Sequence, residues 1–345
     1  MAYSPILKPN TLMNTKLYTG NGSTNNITGV GFQPDWVWTK CRSTVNSSRL
    51  IDAVRGVTKA IVSNSTGAEF TEANGLSAFG TDGYTLNGNL ASMNTNNDTY
   101  VSWNWKAGGG QGSSNTDGSI NTTYTSVNTT AGFSISQYTG TGSVGTIGHG
   151  LGAVPKMIIT KPYSTTGQWY TYHASLGNTH YLDLVSTATA SDDAEMWNDT
   201  SPTSSVFTVG VNGNTNGSGK TTIAYAFAEK TGYSKFGSYI GNGNANGAFV
   251  YTGFKPAFVM LKNTTTAASW LMYDNKRLGY NVDNNELVAN TNAVEETYDQ
   301  IDILSNGFKM RANGTSTNKS GNTYIYMCFA DNPFVASNFN AATAR

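Results

Sequence analysis

The sequence predicts an all-β protein built from three tandem copies of an antiparallel β-sandwich of about 100 residues each, jelly-roll-like or lectin-like in layout. Three observations predict it. A phrase recurs: "YTGNGSTNNITGVGFQPDWVWTK" from Tyr18, "YTGTGSVGTIGHGLGAVPKMIITK" from Tyr138 and "YIGNGNANGAFVYTGFKPAFVMLK" from Tyr239. Helical periodicity is nearly absent, and the apolar runs are short, as in "DWVWTK", "TIAYAF" and "YIYMCF", which is the strand pattern. Turn signals such as "TGNG", "TDG" and "SNG" punctuate each copy, because such turns need the positive φ that Gly tolerates.

The repeat has a fixed frame. Pro and Lys stand six residues apart in each phrase: Pro34/Lys40, Pro155/Lys161 and Pro256/Lys262. From that Lys to a closing aromatic, Trp105, Phe227 or Phe329, the spacing is 65, 66 and 67 residues. Spacing held so closely argues for duplication. Within the phrase, "GNG" reads as a turn after a first strand. "GFxP" reads as a second turn whose Pro blocks early sheet pairing. The run that follows reads as a central core strand ending at Lys. The first strand and the closing aromatic strand are expected side by side in one sheet. The phrase therefore reads as scaffold ahead of ligand site.

These anchors divide the chain into an N-terminal arm (1–14), repeat 1 (15–106), a Gly/Ser/Thr-rich linker (107–131), repeat 2 (132–229), repeat 3 (235–334) and a C-terminal tail (335–345). Each repeat is long enough to hold its own core. The first half of the joint after Ala107 reads as a flexible linker and its second half as a strand. The joint between repeats 2 and 3, "EKTGYSK", is short, so these two are expected to be held together more rigidly than repeats 1 and 2.

Composition bounds function. Charged residues are 12% of the chain and balance to zero, so a nucleic-acid footprint is not expected. No apolar run approaches the length of a membrane helix, and the opening "MAYSPILKPN" has no signal-peptide core. Synthesis in a cytoplasm follows as an expectation. Cys41 and Cys328 are too few for a disulfide framework and read as reduced.

A catalytic constellation is hard to find. The three histidines, His149, His173 and His180, form no zinc motif, and no C-x-x-C, G-x-S-x-G or phosphate loop occurs. No cofactor or metal is expected. Calcium at "NTDGS" or "DNNE" lacks a complete ligand set. Two acidic groups, Asp192/Asp193/Glu195 and Glu295/Glu296/Asp299/Asp302, keep open a polysaccharide-cleaving reading. Asp52/Arg55 and Asp274/Arg277 read as local ion pairs bracing a loop, and repeat 2 lacks them. Exposed aromatics with amides suit sugar recognition. The candidates for glycan or receptor contact are Trp197, Tyr170, Tyr172 and His173. Trp169 and Trp270 hold equivalent places and read as core. Trp197 has no counterpart and reads as surface.

The quoted phrases, with "WNWKAGGG", "NTTAGFSISQYTGTG", "GYSKFGSYIGNGNA" and "TYIYMCFADNPF", resemble a repeat-domain family of tailed, often marine, bacteriophages, described as tail-fibre-like or virion structural proteins. The resemblance covers about Thr15 to Phe334 and carries over no catalytic set. It implies a virion component. The chain is expected not to be an enzyme, to partner other virion proteins and a host-surface glycan, to form a homo-oligomer and not to insert in a membrane. Tyr3, Pro5, Ile6, Leu7 and Pro9 in the arm are the candidates for virion docking. The expected role is a compact, tail-associated knob that attaches to the host. The alternatives are a head-decoration protein and, further off, a depolymerase.

Overall fold

A computed structural model of the chain describes residues 4–277, 281 and 284–333. Tyr3 and the tail 335–345 lie outside the described residues, as do Asp283 and the last residue assigned to repeat 3. Nearly all regular structure is strand; among the described residues the helices are a four-residue turn, α1 (Ala194–Trp197), and a 3-10 turn at Pro9–Thr11.

Repeat 1 contains β1 (Met13–Thr19), β2 (Asn25–Thr28), β3 (Trp36–Cys41), β4 (Arg49–Asp52), β5 (Lys59–Ala60), β6 (Phe70–Thr71), β7 (Leu76–Gly80), β8 (Gly83–Leu86) and β9 (Thr99–Trp105). Then follow β10 (Thr122–Asn128), β11 (Phe133–Thr139), β12 (Gly145–Gly148), β13 (Pro155–Pro162), β14 (Tyr170–His173), β15 (His180–Asp183), β16 (Ser191–Asp192), α1, β17 (Val206–Val209) and β18 (Thr221–Ala228). The last set is β19 (Ser234–Ile240), β20 (Phe249–Tyr251), β21 (Phe254–Asn263), β22 (Leu271–Asp274), β23 (Asn284–Val288), β24 (Glu296–Tyr298), β25 (Ile301–Leu304), β26 (Gly307–Met310) and β27 (Thr323–Pro333).

One strand order recurs three times: β1-β9-β3-β4, β11-β18-β13-β14 and β19-β27-β21-β22. First and closing strands are neighbours in each, as the sequence predicts. The register repeats too. Trp36 faces Asp52 and Trp105; Met157 faces His173 and Phe227; Phe258 faces Asp274 and Phe329. The Pro of the phrase precedes β3, but Pro155 and Pro256 sit at β-bulges inside β13 and β21, where a missing N–H is tolerated.

Each main sheet is covered on its outer face by a small sheet: β2-β8-β7, β12-β17 or β20-β26-β25. Ile27, Tyr84 and Leu86 pack on Val37 and Ile51 in the first. Ile147 and Phe207 pack on Ile158 and Ala226 in the second. Val250 and Phe308 pack on Val259 and Tyr273 in the third. These are the expected sandwiches.

The inner faces do something the sequence reading missed. They meet. Side chains alternate along a strand, so Val37 points outward while Trp36 and Trp38 point inward. The inward set from all three main sheets forms one cluster that includes Trp36, Trp103, Trp105, Phe133, Met157, Tyr225, Phe227, Phe258, Met260 and Phe329. Closing aromatics converge there, with ring centroids 5.9 Å apart for Trp105–Phe329 and 6.0 Å for Phe227–Phe329. Trp36 stacks on Tyr225 at 4.4 Å. The repeats are therefore three corners of one body around a shared core, and repeat 1 is joined to its neighbours as fully as 2 is to 3.

The stretch after Ala107 is likewise packed. The amides of Ala107 and Gly109 donate to Asp35, and Gln111 Nε2 donates to the Val54 carbonyl. Gly112 has φ +77°, and a Cβ on it would meet the Thr125 carbonyl oxygen at 1.9 Å. Its glycines permit close backbone approach where flexibility was expected. The second half is β10, a strand as read, added beside β11.

The N-terminal arm also departs from expectation. Ile6 is buried in the central cluster and Pro9 is buried beside it. Ser4 packs against Gly232. Pro5 and Leu7 face solvent. Ile6 and Pro9 thus close one end of the chain's own core and are not available to another protein, while Pro5 and Leu7 stay exposed.

Candidate functional site

The polar residues singled out in the sequence are mostly joints between repeats. Lys40, Lys161 and Lys262 are fully buried. Each reaches from one repeat to the next: Lys161 Nζ donates to Thr66 O at 3.2 Å, Lys262 Nζ to Thr187 O at 3.2 Å, and Lys40 Nζ to Thr291 O at 2.7 Å. The direction is cyclic, repeat 2 to 1, 3 to 2 and 1 to 3. Backbone bonds follow the same ring, from Glu69 N to Tyr163 O, Ala190 N to Thr264 O and Glu295 N to Arg42 O. Desolvation lowers all three ammonium groups to about 8.

A second ring lies beside the first. Tyr225 Oη donates to Asp52 Oδ2 at 2.7 Å, and Trp103 Nε1 donates to Asp274 Oδ2 at 3.0 Å. Each acid also binds its buried arginine, Arg55 at 2.6 Å and Arg277 at 2.7 Å. The pairs are thus inter-repeat as well as local. Burial works to raise the Asp274 carboxyl, but the Arg277 guanidinium and its amide outweigh this and hold it below the usual carboxylate range.

At the third corner the donor is missing, because Met327 stands where Trp103 and Tyr225 stand. His173 replaces the acid. Its Nδ1 accepts from the Ser175 amide, so its Nε2 carries the proton and donates to the Tyr326 carbonyl at 3.2 Å. Burial pushes its pKa down to about 4, which keeps it neutral.

Three of the four glycan contacts expected in repeat 2, His173, Trp197 and Tyr172, are corrected by this packing. His173 is a buried joint. Trp197 is buried at 2% exposure and lies 6.0 Å from Tyr172, itself 5% exposed. Repeat 2 has a two-stranded small sheet, and α1 stands in the sequence where the other repeats have a third strand; Trp197 fills that space. Tyr170 is half-buried against Tyr181. Trp169 and Trp270 are core, as read, and each indole donates across a repeat boundary, to Val62 O and Asp183 O.

The acidic groups are dispersed. Asp193 caps α1 through the Glu195 amide. Glu295 binds Arg42 and Arg277, while Asp302 lies 3.4 Å from Arg311. Among the described residues no group of three His, Cys, Asp or Glu is placed to hold a metal ion. Cys41 and Cys328 are unpaired and buried. No described helix is long and apolar enough to cross a membrane.

One exposed feature was missed. Phe249 and Tyr251, on edge strand β20, are 48% and 50% exposed. Both project from the outer face of the small sheet of repeat 3. Register builds two rows across that face: Phe249–Lys309–Asp302 and Tyr251–Gly307–Leu304. The Phe249 ring lies over Gly307, where an added Cβ would meet it at 3.2 Å. Lys309 Nζ donates to Asn246 Oδ1 from the neighbouring turn. The signal was in the aligned phrases. "FVY" occupies the place of "NIT" and "TIG", so aromatics replace Asn26 and Thr28 of repeat 1 and Thr146 and Gly148 of repeat 2.

Comparison with curated proteins and with solved structures gives no match. A family model described as a domain of unknown function, DUF7483, matches residues 8–333. That span runs unbroken through all three corners of the shared core, and the chain belongs to the DUF7483 family.

Proposed function

We propose that the protein is a structural protein of a bacteriophage particle, a compact tail-associated appendage that contacts the host surface by binding. The observation that carries the reading is how its chemistry is divided. Lysines, acids and indoles that drew attention in the sequence are turned inward as joints, while an aromatic pair is turned outward on a face the fold does not require. A body braced at three corners suits a part that must stay rigid while it makes contact. The wording of the repeated phrases supplies the phage context. Many weak contacts multiplied by copy number supply the affinity.

Two measurements test it. Immunogold labelling of intact particles is expected to place the protein at the tail. Purified protein is expected to adsorb to susceptible cells and compete with phage. Adsorption without competition, or neither, refutes the host-binding role. The three-cornered arrangement also favours a second reading, a head-decoration protein seated on a threefold position of the shell; labels spread over the head would select it.

A further inference from the structure

We propose that the outer face of the β20-β26-β25 sheet binds a glycan, with Phe249 and Tyr251 stacked on the apolar faces of neighbouring pyranose rings and Lys309, Asp302 and Asn246 bonding their hydroxyls. The proposal deepens the binding role above and rests on it for the biological source of the glycan.

The three repeats provide an internal control. All three small sheets have a β-branched inward residue at this point, Ile27, Ile147 and Val250, and it is buried in each. The flanking outward positions differ. In repeat 1 they are Asn26 and Thr28, with Asn26 bonded to Thr85 Oγ1 at 2.9 Å. In repeat 2 they are Thr146 and Gly148, and the segment around Ser119 covers them, with the Ser119 amide bonded to Thr146 Oγ1 at 2.8 Å. The fold is thus built twice without aromatics here. Two half-exposed rings on the third face answer no packing need.

Size and chemistry select the ligand. Two half-exposed aromatic side chains offer about 200 Å² of apolar surface. A stable protein interface needs about 800 Å² per partner, so the rings are too small for one and of the right order for two sugar units. Residues two apart on a strand place their rings about 7 Å apart, comparable with the length of one sugar unit in an extended polysaccharide. Donors and acceptors surround them. Lys309 lies directly across from Phe249, Asp302 directly across from Lys309, and Arg311 lies 3.4 Å from Asp302.

The test is calorimetric titration of the full chain with cellohexaose, laminarihexaose, maltohexaose and chitohexaose. At least one is expected to bind with a Kd of about 1 mM or tighter. The double variant Phe249→Ala, Tyr251→Ala is expected to weaken it about tenfold or more with unchanged melting. Phe249→Trp is expected to retain binding. No heat from any of the four sugars, or equal binding by the double variant, overturns the proposal. A change of sedimentation mass in the double variant also overturns it, by identifying the face as a contact between copies. Wild type that binds a hexasaccharide but fails to adsorb to cells would sink the host-binding role and leave the platform standing.

Discussion

The buried lysines make a quantitative prediction about alkaline pH. Each ammonium is lowered to about 8 by desolvation, against about 10.4 in an unfolded chain. Between those values the unfolded state binds more protons, so stability rises with pH. The contribution is complete above the unfolded value and is lost as pH falls through 8. From pH 8 to 9.5 one such lysine adds about 1.5 kcal/mol, and the three together add about 5. Above about pH 10 the trend reverses, because buried tyrosines such as Tyr138, Tyr225 and Tyr239, all raised by burial, ionise more easily when unfolded. Maximum stability is therefore expected near pH 9 to 10, well above the usual range of about 5 to 8. The perturbation is Lys262→Met, which keeps the stem and removes the charge. Urea unfolding at half-unit steps from pH 8 to 9.5 is the assay. The variant's rise is expected to be smaller by about 1.5 kcal/mol. An identical rise in variant and wild type would refute the account of Lys262 as a desolvated ammonium at a joint.

Removal of Asp274 by Asp274→Ala leaves Arg277 buried without its closest carboxylate and the Trp103 indole without an acceptor. It is expected to cost about 3–5 kcal/mol, read by urea midpoint, and a loss under about 1 kcal/mol contradicts the inter-repeat joint. Stability is expected to fall as pH drops from about 6.5 towards 4, because His173 must take up a proton on unfolding; His173→Gln is expected to blunt that fall, and an unchanged acid profile argues against a neutral buried histidine. Calorimetry is expected to show one transition for the three repeats, since they share a core; three separable transitions would contradict it. Both thiols are expected to resist a thiol reagent until the chain unfolds, and fast labelling of the native protein would place them wrongly.

Much of the scaffold was legible. The Lys-to-aromatic spacing was held because both ends point into the same core, so it marked the repeats and the pairing of first and closing strands. The shared core was also written, in "WVW", "MII" and "FVML". A run that is apolar at every position belongs to a sheet buried on both faces, and sandwiches with separate cores bury only one. Site residues were harder to read. Trp197 lacked a counterpart, which suggested surface; in fact a local departure of repeat 2 needed a large ring to fill it. His173 looked like a glycan or receptor contact because its partner carbonyl is on Tyr326, far along the chain. Phe249 and Tyr251 looked like ordinary strand residues, since only register says which face a strand residue takes.

Fusing three corners into one chain has a consequence for how the body meets its surroundings. Three identical subunits in a ring must repeat every substitution at every corner. Here one corner carries His173 where the others carry Asp52 and Asp274, and one flank carries rings where the others carry small polar groups. The body is therefore asymmetric despite its threefold plan. Its mounting has an azimuth: turned by a third of a revolution, it presents a different flank. Under the proposed binding role, whatever holds the protein would have to fix that angle, and avidity would come from an array of such bodies, because each would bring a single ring-bearing flank.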